Sequence, residues 1–563
     1  MFMDLITKIT ISIPEKSSVA SLTKGLKLRQ SMYISNLLLF VSVPFFMLNT
    51  MELEKWFKIK KYPHIGLPIT IKDYNWVKNY IENAEKISIH SFLPLIHKTI
   101  VNRKYRADNS ILENNPSGKR KRVKGKPKVR DIFFASHLDS LIFSKYNEIL
   151  TNAYEKHIED KTFNECIVAY RKIPISKDSE KNKCNIDFAK TSFEFIQNNN
   201  SKKLTAIVAD VTSFFDNLNH KTLKSKWTKV LEETTLPKDH YNVFKTLTNI
   251  KYVEGEQLFE SYKKTMLIEV GVQNSSTKTT FKRKEIESSK YFKEKKTVAY
   301  CEKKEFLKNN LNLIKSKGKT VGIPQGSPIS ATLANIYMLD FDKEVFDKVS
   351  SIGGFYQRYS DDLIIICEHQ FEDDIIKLIR DKIDTIVHLT IEPNKTKVFR
   401  FEVIDDIFKG FQIDELTKMP NYNKTLEYLG FSFDGQKVLI KTSGFSKFYR
   451  SMKSSFKKST SLALHSKNLD KNLFKSSLYK RFSYKGAKRK LIFRPSKADK
   501  KVYEKSNEYY WGNYLSYINK ANDSMKSING GDFVKRQSRR LWKKFNDIMK
   551  FSESKLKIKL SKK

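Results

Sequence analysis

A short acidic turn between two apolar runs constrains the fold of this 563-residue chain more than any other feature. The tetrapeptide Tyr-Ser-Asp-Asp at positions 359–362 follows a β-rich segment and precedes the apolar run 363–367. This pattern predicts a β-hairpin whose turn carries the two acids. Far upstream, Asp210 ends another strand-like apolar run at 204–209. We therefore expect strand ends that bring three carboxylates into one compact cluster.

Three carboxylates at strand ends suit the chemistry of nucleotidyl transfer. That reaction must neutralise a triphosphate and activate a hydroxyl, and two Mg²⁺ ions about 3.5–4 Å apart do both when acidic side chains hold them. We predict that Asp210, Asp361 and Asp362 are the catalytic and metal-binding residues, with Mg²⁺ as the cofactor and Mn²⁺ as the alternative ion. The Asp pairs at 373–374 and 405–406 lack this context and are interpreted as solvated.

The sequence that follows Asp210 resembles motif A of reverse transcriptases. Phe215 stands five residues after the acid, where that family places an aromatic ring under the sugar of the incoming nucleotide. The resemblance implies that Phe215 is a steric gate against a 2′-hydroxyl. Residues 322–337, which begin Gly-Ile-Pro-Gln-Gly-Ser-Pro, resemble motif B of bacterial reverse transcriptases, those of group II introns and retrons included. There Gln325 and Gly326 would position the nucleotide, and Ser330 would begin a buried helix.

Two shorter segments extend the resemblance towards the C-terminus. Residues 389–397 are similar to motif D, in which Lys395 would lie near the triphosphate and protonate the pyrophosphate leaving group. Glu392 departs from the pattern, since the family usually has Asn at that position. Tyr428 and Gly430 belong to a segment that resembles motif E, the hairpin that grips the primer strand.

Basic residues upstream of Asp210 complete the match. Residues 125–132 resemble the fingers strand that meets the incoming triphosphate, and Arg130 and Lys128 are the predicted phosphate ligands because Arg can fork two phosphate oxygens. Arg171, in an Ala-Tyr-Arg segment, takes the place of a fingers residue that would contact the template. The motifs stand in family order between about residues 119 and 435, and this order is stronger evidence than any single motif.

The resemblance implies an α+β fold, a right-hand polymerase with fingers, palm and thumb, followed by a basic, mainly α-helical C-terminal region. The implied domains are an N-terminal extension at 1–50, an N-terminal region with the fingers at 51–203, a palm at 204–435 with an insertion at about 236–320, and a thumb with the basic helical region at 436–563. The implied activity is that of an RNA-directed DNA polymerase, with an RNA template, dNTPs and a DNA product.

The subgroup follows from details of the motifs. The Ser of the Tyr-Ser-Asp-Asp turn, the Ala-Tyr-Arg segment and the long basic extension resemble bacterial defence-associated and abortive-infection reverse transcriptases. We therefore predict a role in antiphage defence with a non-coding RNA template. The alternatives are an RNA-synthesising palm polymerase, a group II intron or retron-type reverse transcriptase, and a non-catalytic RNA-binding scaffold. The sequence leaves open the defence subtype, the template, the primer and the oligomeric state, including a homo-oligomer or an accessory defence protein.

Charge and cysteine content bound the partners and the compartment. The net charge is +43, and residues 441–563 hold 34 Lys and Arg against 8 Asp and Glu, a net charge of +26. Such an excess implies a polyanionic partner, and the aromatic residues there either stack unpaired bases or form a helical core. The isolated cysteines predict a cytoplasmic protein. The apolar run 37–48 is shorter than the roughly 20 residues of a membrane span, and Met51 is an alternative start.

Overall fold

The computed structural model describes residues 53–561, apart from 104, 108–121, 126, 177, 180, 271–279, 393–395, 415–416, 418, 467–471, 489, 496–501 and 511. All elements below belong to one compact unit, Lys55–Lys563. The predicted extension 1–50, the apolar run 37–48 and Lys395 lie outside the described residues. Within the described part of the chain, no helix has the length and apolarity needed to cross a membrane.

The described residues form 21 β-strands. They are β1 His64–Ile65, β2 Leu95–Asn102, β3 Tyr105–Ala107, β4 Arg122–Lys124, β5 Lys128–Phe134, β6 Leu204–Asp210, β7 Ile250–Glu254, β8 Met266–Val270, β9 Thr280–Lys284, β10 Thr297–Cys301, β11 Lys315–Lys317, β12 Phe355–Tyr359, β13 Asp362–Glu368, β14 Lys397–Ile404, β15 Ile407–Ile413, β16 Pro420–Asn421, β17 Leu426–Tyr428, β18 Phe431–Phe433, β19 Val438–Ile440, β20 Lys490–Pro495 and β21 Tyr503–Tyr510.

The described α-helices alternate with these strands and also form most of the C-terminal region. They are α1 Tyr74–Ile81, α2 Ala84–Ser88, α3 His137–Ile158, α4 Asn185–Asn198, α5 Phe214–Asn217, α6 His220–Val230, α7 Lys238–Thr248, α8 Gly255–Tyr262, α9 Lys303–Asn309, α10 Ser330–Tyr337, α11 Leu339–Ser351, α12 Glu372–Thr385, α13 Thr442–Leu464, α14 Lys475–Phe482, α15 Tyr514–Asn529 and α16 Phe533–Ser561. The fold is therefore mixed α+β, as predicted, and α10 begins at Ser330, as predicted.

A six-stranded antiparallel sheet, in the order β12-β13-β6-β14-β15-β16, forms the centre of the molecule. Its inner strands β6 and β13 are apolar on both faces and almost wholly buried. This explains why their sequences are continuous apolar runs rather than alternating ones, since side chains on both faces of each strand need apolar partners. The two strands end together at one edge of the sheet, which places Asp210 beside Asp362.

The segment between motifs A and B is built into two other sheets. Strands β7 and β11 join β2 and β5 in the order β11-β7-β2-β5, while β8, β9 and β10 join β1. The sequence predicts a helix over about residues 302–315. The observed helix is shorter, because α9 ends at Asn309 and β11 begins at Lys315. Side chains of this segment, such as Val253 and Phe306, share an apolar core with Ile96 of β2. The insertion is thus a structural part of the region around β5.

The helices after residue 441 share one apolar core with the central sheet. Met452 of α13, Met525 of α15 and Phe545 of α16 are fully buried and belong to the same cluster as Ile364 and Phe399. Many aromatic side chains of this region are core residues, as their helical setting suggested. Other aromatic side chains of this region are exposed, and among the described residues they include Phe474, Tyr484, Trp542 and Phe551.

Candidate active site

The register of two strands sets the relative positions of the three predicted catalytic aspartates. In the antiparallel pair β6 and β13, Asp210 and Asp362 are direct partners, so their side chains leave the same face of the sheet. Asp361 precedes Asp362 in the turn, and its carbonyl accepts a hydrogen bond from Val211 N at 3.0 Å. All three aspartates are partly buried. The structure therefore places the backbones of these three residues at the same end of β6 and β13, while their joint catalytic role stays a prediction.

The acidic turn is a tight two-residue hairpin loop. Tyr359 pairs with Asp362, which leaves Ser360 and Asp361 as the loop residues. Ser360 has φ +62°, and positive φ at the first loop position is the feature of a type II′ turn. Serine tolerates this conformation less well than glycine, so the surrounding contacts must hold it.

The donor chemistry of the site fits a divalent cation. Carboxylate oxygens are the ligands that Mg²⁺ and Mn²⁺ prefer, and Asp210, Asp361 and Asp362 stand on adjacent backbone positions. No group of three or more His, Cys, Asp or Glu side chains is close enough together to hold a metal ion within the described ranges. The metal assignment thus rests on the donor set and the backbone register.

The position of the Glu that departs from motif D explains why the change is tolerated. Glu392 N donates to the carbonyl of Asp210 at 2.9 Å, and Thr212 N donates to the carbonyl of Thr390 at 2.8 Å. Asp210 is therefore fixed between the acidic turn on one side and this segment on the other. The contact uses the backbone of Glu392, so it does not depend on the side chain at that position.

The backbone of the predicted gate residue, Phe215, is hydrogen-bonded to the backbone of motif B. Phe214 is buried, whereas Phe215 is only partly buried. The carbonyl of Phe215 accepts from Ile323 N at 2.9 Å. A Cβ on Gly322 would lie 2.7 Å from the carbonyl oxygen of Asp216, and its φ is +94°, so only glycine allows this close backbone approach. Motif B thereby fixes the backbone from which the Phe215 ring projects.

Gln325 and Gly326 contact the strand that carries the predicted phosphate ligands. The carbonyl of Gln325 accepts from Phe133 N of β5 at 2.9 Å. A Cβ on Gly326 would come within 3.1 Å of Ile132 Cγ2 and of the Phe133 carbonyl, and its φ is +106°. The glycine therefore allows β5 to approach, a reason that the sequence did not reveal.

The predicted phosphate ligands face this same junction. Side chains alternate along a strand, so Lys128 and Arg130 lie on the face of β5 that carries Ile132, the neighbour of Gly326. Both basic side chains are exposed. Lys98, the β2 partner of Ile132, is exposed on that face too. Sequence reasoning missed Lys98 because only the pairing of β2 with β5 places it beside the other two.

The placement of Arg171 argues against its predicted contact with the template. Its side chain is only 7% exposed and forms an ion pair with Glu155 at 2.7 Å. Its remaining donors reach the carbonyl and side-chain oxygens of Asn164 and the carbonyl of Ile167, at 2.6–2.8 Å. A guanidinium whose N–H groups are engaged inside the protein has no fork left for nucleic acid. Arg171 instead secures the local fold.

The predicted primer hairpin exists, but Tyr428 does not face solvent. Its side chain is 3% exposed, and its hydroxyl donates to Gln357 Oε1 at 3.2 Å. Burial, together with the charge of Asp362, raises the pKa of Tyr428 well above its ordinary value. Leu429 and Gly430 form the turn, both with positive φ, as a type I′ hairpin requires. Space around Gly430 is open, so the turn is sterically accessible, whereas the Tyr428 side chain is buried.

A protein-family model matches the part of the chain that contains the acidic turn, while Asp210 lies outside the matched residues. Residues 281–433, which include the acidic turn, motif B and the predicted primer hairpin, match the family model described as reverse transcriptase (RNA-dependent DNA polymerase). Residues 281–433 are therefore similar to the reverse transcriptase family. They belong to a fold that places Asp362 opposite Asp210 on an antiparallel sheet. No curated protein matches the sequence.

Solved telomerase structures are similar to this chain. One, from Candida tropicalis and truncated from its C-terminal domain, is 12% identical with a TM-score of 0.33, over 65% of this chain and 59% of that one. Another, from Candida albicans in complex with a TWJ fragment of telomeric RNA, is 12% identical with a TM-score of 0.33, over 86% and 64%. The chain spans 59–64% of the length of such structures.

Proposed function

We propose that this protein is an RNA-directed DNA polymerase that joins dNTPs at the site formed by Asp210, Asp361 and Asp362. The observation that carries the proposal is the strand register that sets Asp210 opposite Asp362, with the acidic turn inside the segment that matches the reverse transcriptase family. Phe215 and Gln325 flank this site on the motif A and motif B backbones that are hydrogen-bonded to each other and to β5.

Each residue has a defined task in the proposed reaction. Asp210 and Asp361 hold the divalent cations, and Asp362 supports them from the same sheet edge. When bound, such ions lower the pKa of the attacking hydroxyl and neutralise charge on the triphosphate. Lys128 and Arg130 bind phosphate oxygens from the face of β5 next to Gly326.

The remaining assignments concern the sugar, the template and the leaving group. Phe215 excludes a ribose 2′-hydroxyl, while Gln325 and Gly326 position the nucleotide against its template base. The turn at Gly430 contacts the primer strand. Lys395, which lies outside the described residues, stays a prediction as the proton donor to pyrophosphate.

The biological role is proposed from the sequence resemblance. The Tyr-Ser-Asp-Asp turn and the long basic C-terminal region are similar to those of defence-associated and abortive-infection enzymes. We therefore infer a cytoplasmic reverse transcriptase of antiphage defence that copies a non-coding RNA. In this proposal, residues 51–203 contain the fingers, 204–435 the palm, and 436–563 the thumb with an RNA-binding helical surface.

Incorporation of labelled nucleotides by the purified protein tests the polymerase proposal. The protein is incubated with Mg²⁺ and either all four dNTPs or all four rNTPs, with added RNA templates and primers and also without them. We expect a DNase-sensitive product whose sequence copies an RNA. An RNA product would favour the RNA-synthesising palm polymerase, and binding of RNA without any product would favour the scaffold.

A basic groove between α13 and α16 supports the RNA-binding role of the C-terminal region. Its cavity of about 530 Å³ is lined by four lysines, and none of the described residues that line it is acidic. Phe551 at this groove is 66% exposed. Lysines attract phosphates while an exposed ring can stack on an unpaired base. The lysines are Lys453, Lys457, Lys555 and Lys559.

Replacing the four groove lysines with glutamine tests this role without breaking the shared core. If all four contact phosphates of single-stranded RNA, the slope of log affinity against log salt becomes less steep by about 3, since each contact contributes about 0.7. Fluorescence anisotropy titrations at several salt concentrations measure the slope. The matched control replaces Lys343, Lys348, Lys377 and Arg380, four exposed cations on α11 and α12. Equal slopes in the two quadruple variants would remove the groove from the RNA-binding surface.

A further inference from the structure

A buried ion pair lies directly beneath the acidic turn. Arg358 and Asp342 are both 0% exposed, and the guanidinium forks the carboxylate through Nε to Oδ1 at 2.7 Å and through Nη2 to Oδ2 at 2.6 Å. The third nitrogen, Nη1, donates to the backbone carbonyl of Ser360 at 3.1 Å and to Asn335 Oδ1 at 3.3 Å. One arginine therefore connects α11, the motif B helix α10 and the turn that carries Asp361.

Burying this ion pair carries a large desolvation cost. Burial alone would lower the pKa of Arg358, but the adjacent Asp342 raises it above its ordinary value, so the guanidinium stays charged. Tyr356 adds a third partner, because its hydroxyl donates to Asp342 Oδ1 at 2.7 Å. Apolar residues of the same volume commonly stabilise a core as well or better. A charged pair kept here is better explained by the geometry that it imposes on its neighbours.

Hydrogen bonds fix the two peptide groups that flank Asp361. The carbonyl of Ser360 belongs to the peptide before Asp361 and accepts from Arg358. The carbonyl of Asp361 belongs to the next peptide and accepts from Val211 at 3.0 Å. When both peptide planes are fixed, the direction of the Cα–Cβ bond between them is fixed as well. The Asp361 side chain then leaves the backbone in one direction, and its carboxylate is restricted to the positions that its χ1 rotamers allow.

A second side chain holds the same turn from the solvent side. Tyr170 Oη and Ser360 Oγ share a hydrogen bond at 3.2 Å. Tyr170 has φ +63°, an unfavourable conformation for a tyrosine. The segment before it is anchored by Val168 N to the Arg358 carbonyl at 3.1 Å and by Asn335 Nδ2 to the Ala169 carbonyl at 2.9 Å. The elements that hold the ion pair thus also hold Tyr170 against the turn.

We propose that Arg358, supported by Asp342, and Tyr170 are positioning residues that fix Ser360 from two sides and thereby aim the Asp361 carboxylate at the divalent cation. This inference rests on the proposed function for the identity of the site. It assigns no contact with substrate to either residue. Their effect passes through Ser360, so their loss weakens metal binding before it alters any contact with RNA.

The test measures Mn²⁺ binding by electron paramagnetic resonance, together with kcat, KM for dNTPs and the Mg²⁺ concentration that gives half-maximal rate. Tyr170→Phe and Ser360→Ala each remove one hydroxyl of the same hydrogen bond. We expect each to weaken Mn²⁺ binding about fivefold, and the double variant to be no weaker than either single one. Arg358→Lys keeps the charge and loses the fork, and we expect about 100-fold lower kcat.

Arg400→Lys is the matched control, since Arg400 forks Glu372 at 3.0 and 3.1 Å away from the turn. It should lower the melting temperature without changing Mn²⁺ affinity. If Arg358→Lys does not fold, the two hydroxyl variants still decide. Wild-type Mn²⁺ affinity in both of them, or multiplicative effects in the double variant, would overturn the proposal.

The same measurements separate this inference from the proposed function. If the protein incorporates no nucleotide, yet its Mn²⁺ binding depends on Asp361 and weakens in Tyr170→Phe, then the polymerase proposal fails and the positioning role stands. If incorporation occurs normally in all variants, the positioning role fails and the polymerase proposal stands. Mn²⁺ binding that Asp361→Asn leaves unchanged would also overturn the positioning role.

Discussion

Asp361→Asn lowers Mg²⁺-dependent dNTP incorporation by at least about 1,000-fold, because it replaces a charged metal ligand with a neutral amide of the same size. The backbone carbonyl of Asp361 that accepts from Val211 is retained, so the turn keeps its conformation. RNA affinity should stay within about twofold, since the basic surfaces described above are unchanged. Initial rates with saturating dNTPs and anisotropy titrations with RNA measure the two effects.

Asp405→Asn is the matched control for this substitution. Asp405 stands at the β14–β15 turn of the same sheet, with φ +51°, and its side chain is 86% exposed beside Lys409. It repeats the chemical change at a hairpin turn away from the catalytic edge. Incorporation should stay within about twofold of the wild-type rate. Incorporation by Asp361→Asn at the rate of this control would exclude Asp361 as a metal ligand.

The second large effect is expected at the sugar gate. Phe215→Ala should raise the use of ribonucleotides relative to deoxyribonucleotides by about 10- to 100-fold, the range in which a steric contact discriminates between substrates. The carbonyl of Phe215 accepts a hydrogen bond from Ile323 N, which holds the backbone of Phe215 in place. The size of the side chain at position 215 therefore determines the space left for the sugar. The ratio of kcat/KM for matched ribo- and deoxyribonucleotides measures the change.

Phe214→Ala separates selectivity from stability. Phe214 is buried, so its loss should cost about 3–5 kcal/mol of unfolding free energy and leave the sugar preference of the folded enzyme unchanged. Chemical denaturation and the same kinetic ratio report the two properties. A wild-type protein that already prefers ribonucleotides would contradict the gate and favour RNA synthesis.

Local sequence patterns predicted the strand that ends at Asp210 and the hairpin that carries the acidic turn. Asp210 and the acidic turn are recognisable because each is next to a continuous apolar run, and Ser330 begins its helix directly after a Gly-Pro-rich stretch. In each of these cases the signal lies within a few residues of the feature. The observed secondary structure at these positions therefore agrees with the local sequence pattern.

Residues whose role depends on a distant partner were not predictable in this way. Arg171 is bound by Glu155 and Tyr428 by Gln357, and nothing near either residue indicates these contacts. The same holds for Lys98, which needs the pairing of β2 with β5. In the sequence, every basic residue near a motif is an equally good candidate for phosphate binding. The strand pairing and the side-chain contacts of the folded protein are needed to separate the basic residues that face the site from those that secure the fold.

The apolar core that joins the central sheet to α13–α16 has a consequence for how the molecule unfolds. Phe399 of the sheet and Phe545 of α16 belong to the same buried cluster. Because unfolding of either region would expose this cluster to water, we expect both regions to unfold in one calorimetric transition. A chain ended before α13 would lose Tyr517, whose ring centroid lies 6.3 Å from that of Phe431. Part of the shared core would then be exposed, and the shortened chain would be prone to aggregate. The last helices are therefore a structural part of the same folded unit as the central sheet. The stability of the strands that carry the predicted catalytic aspartates depends partly on residues more than a hundred positions downstream.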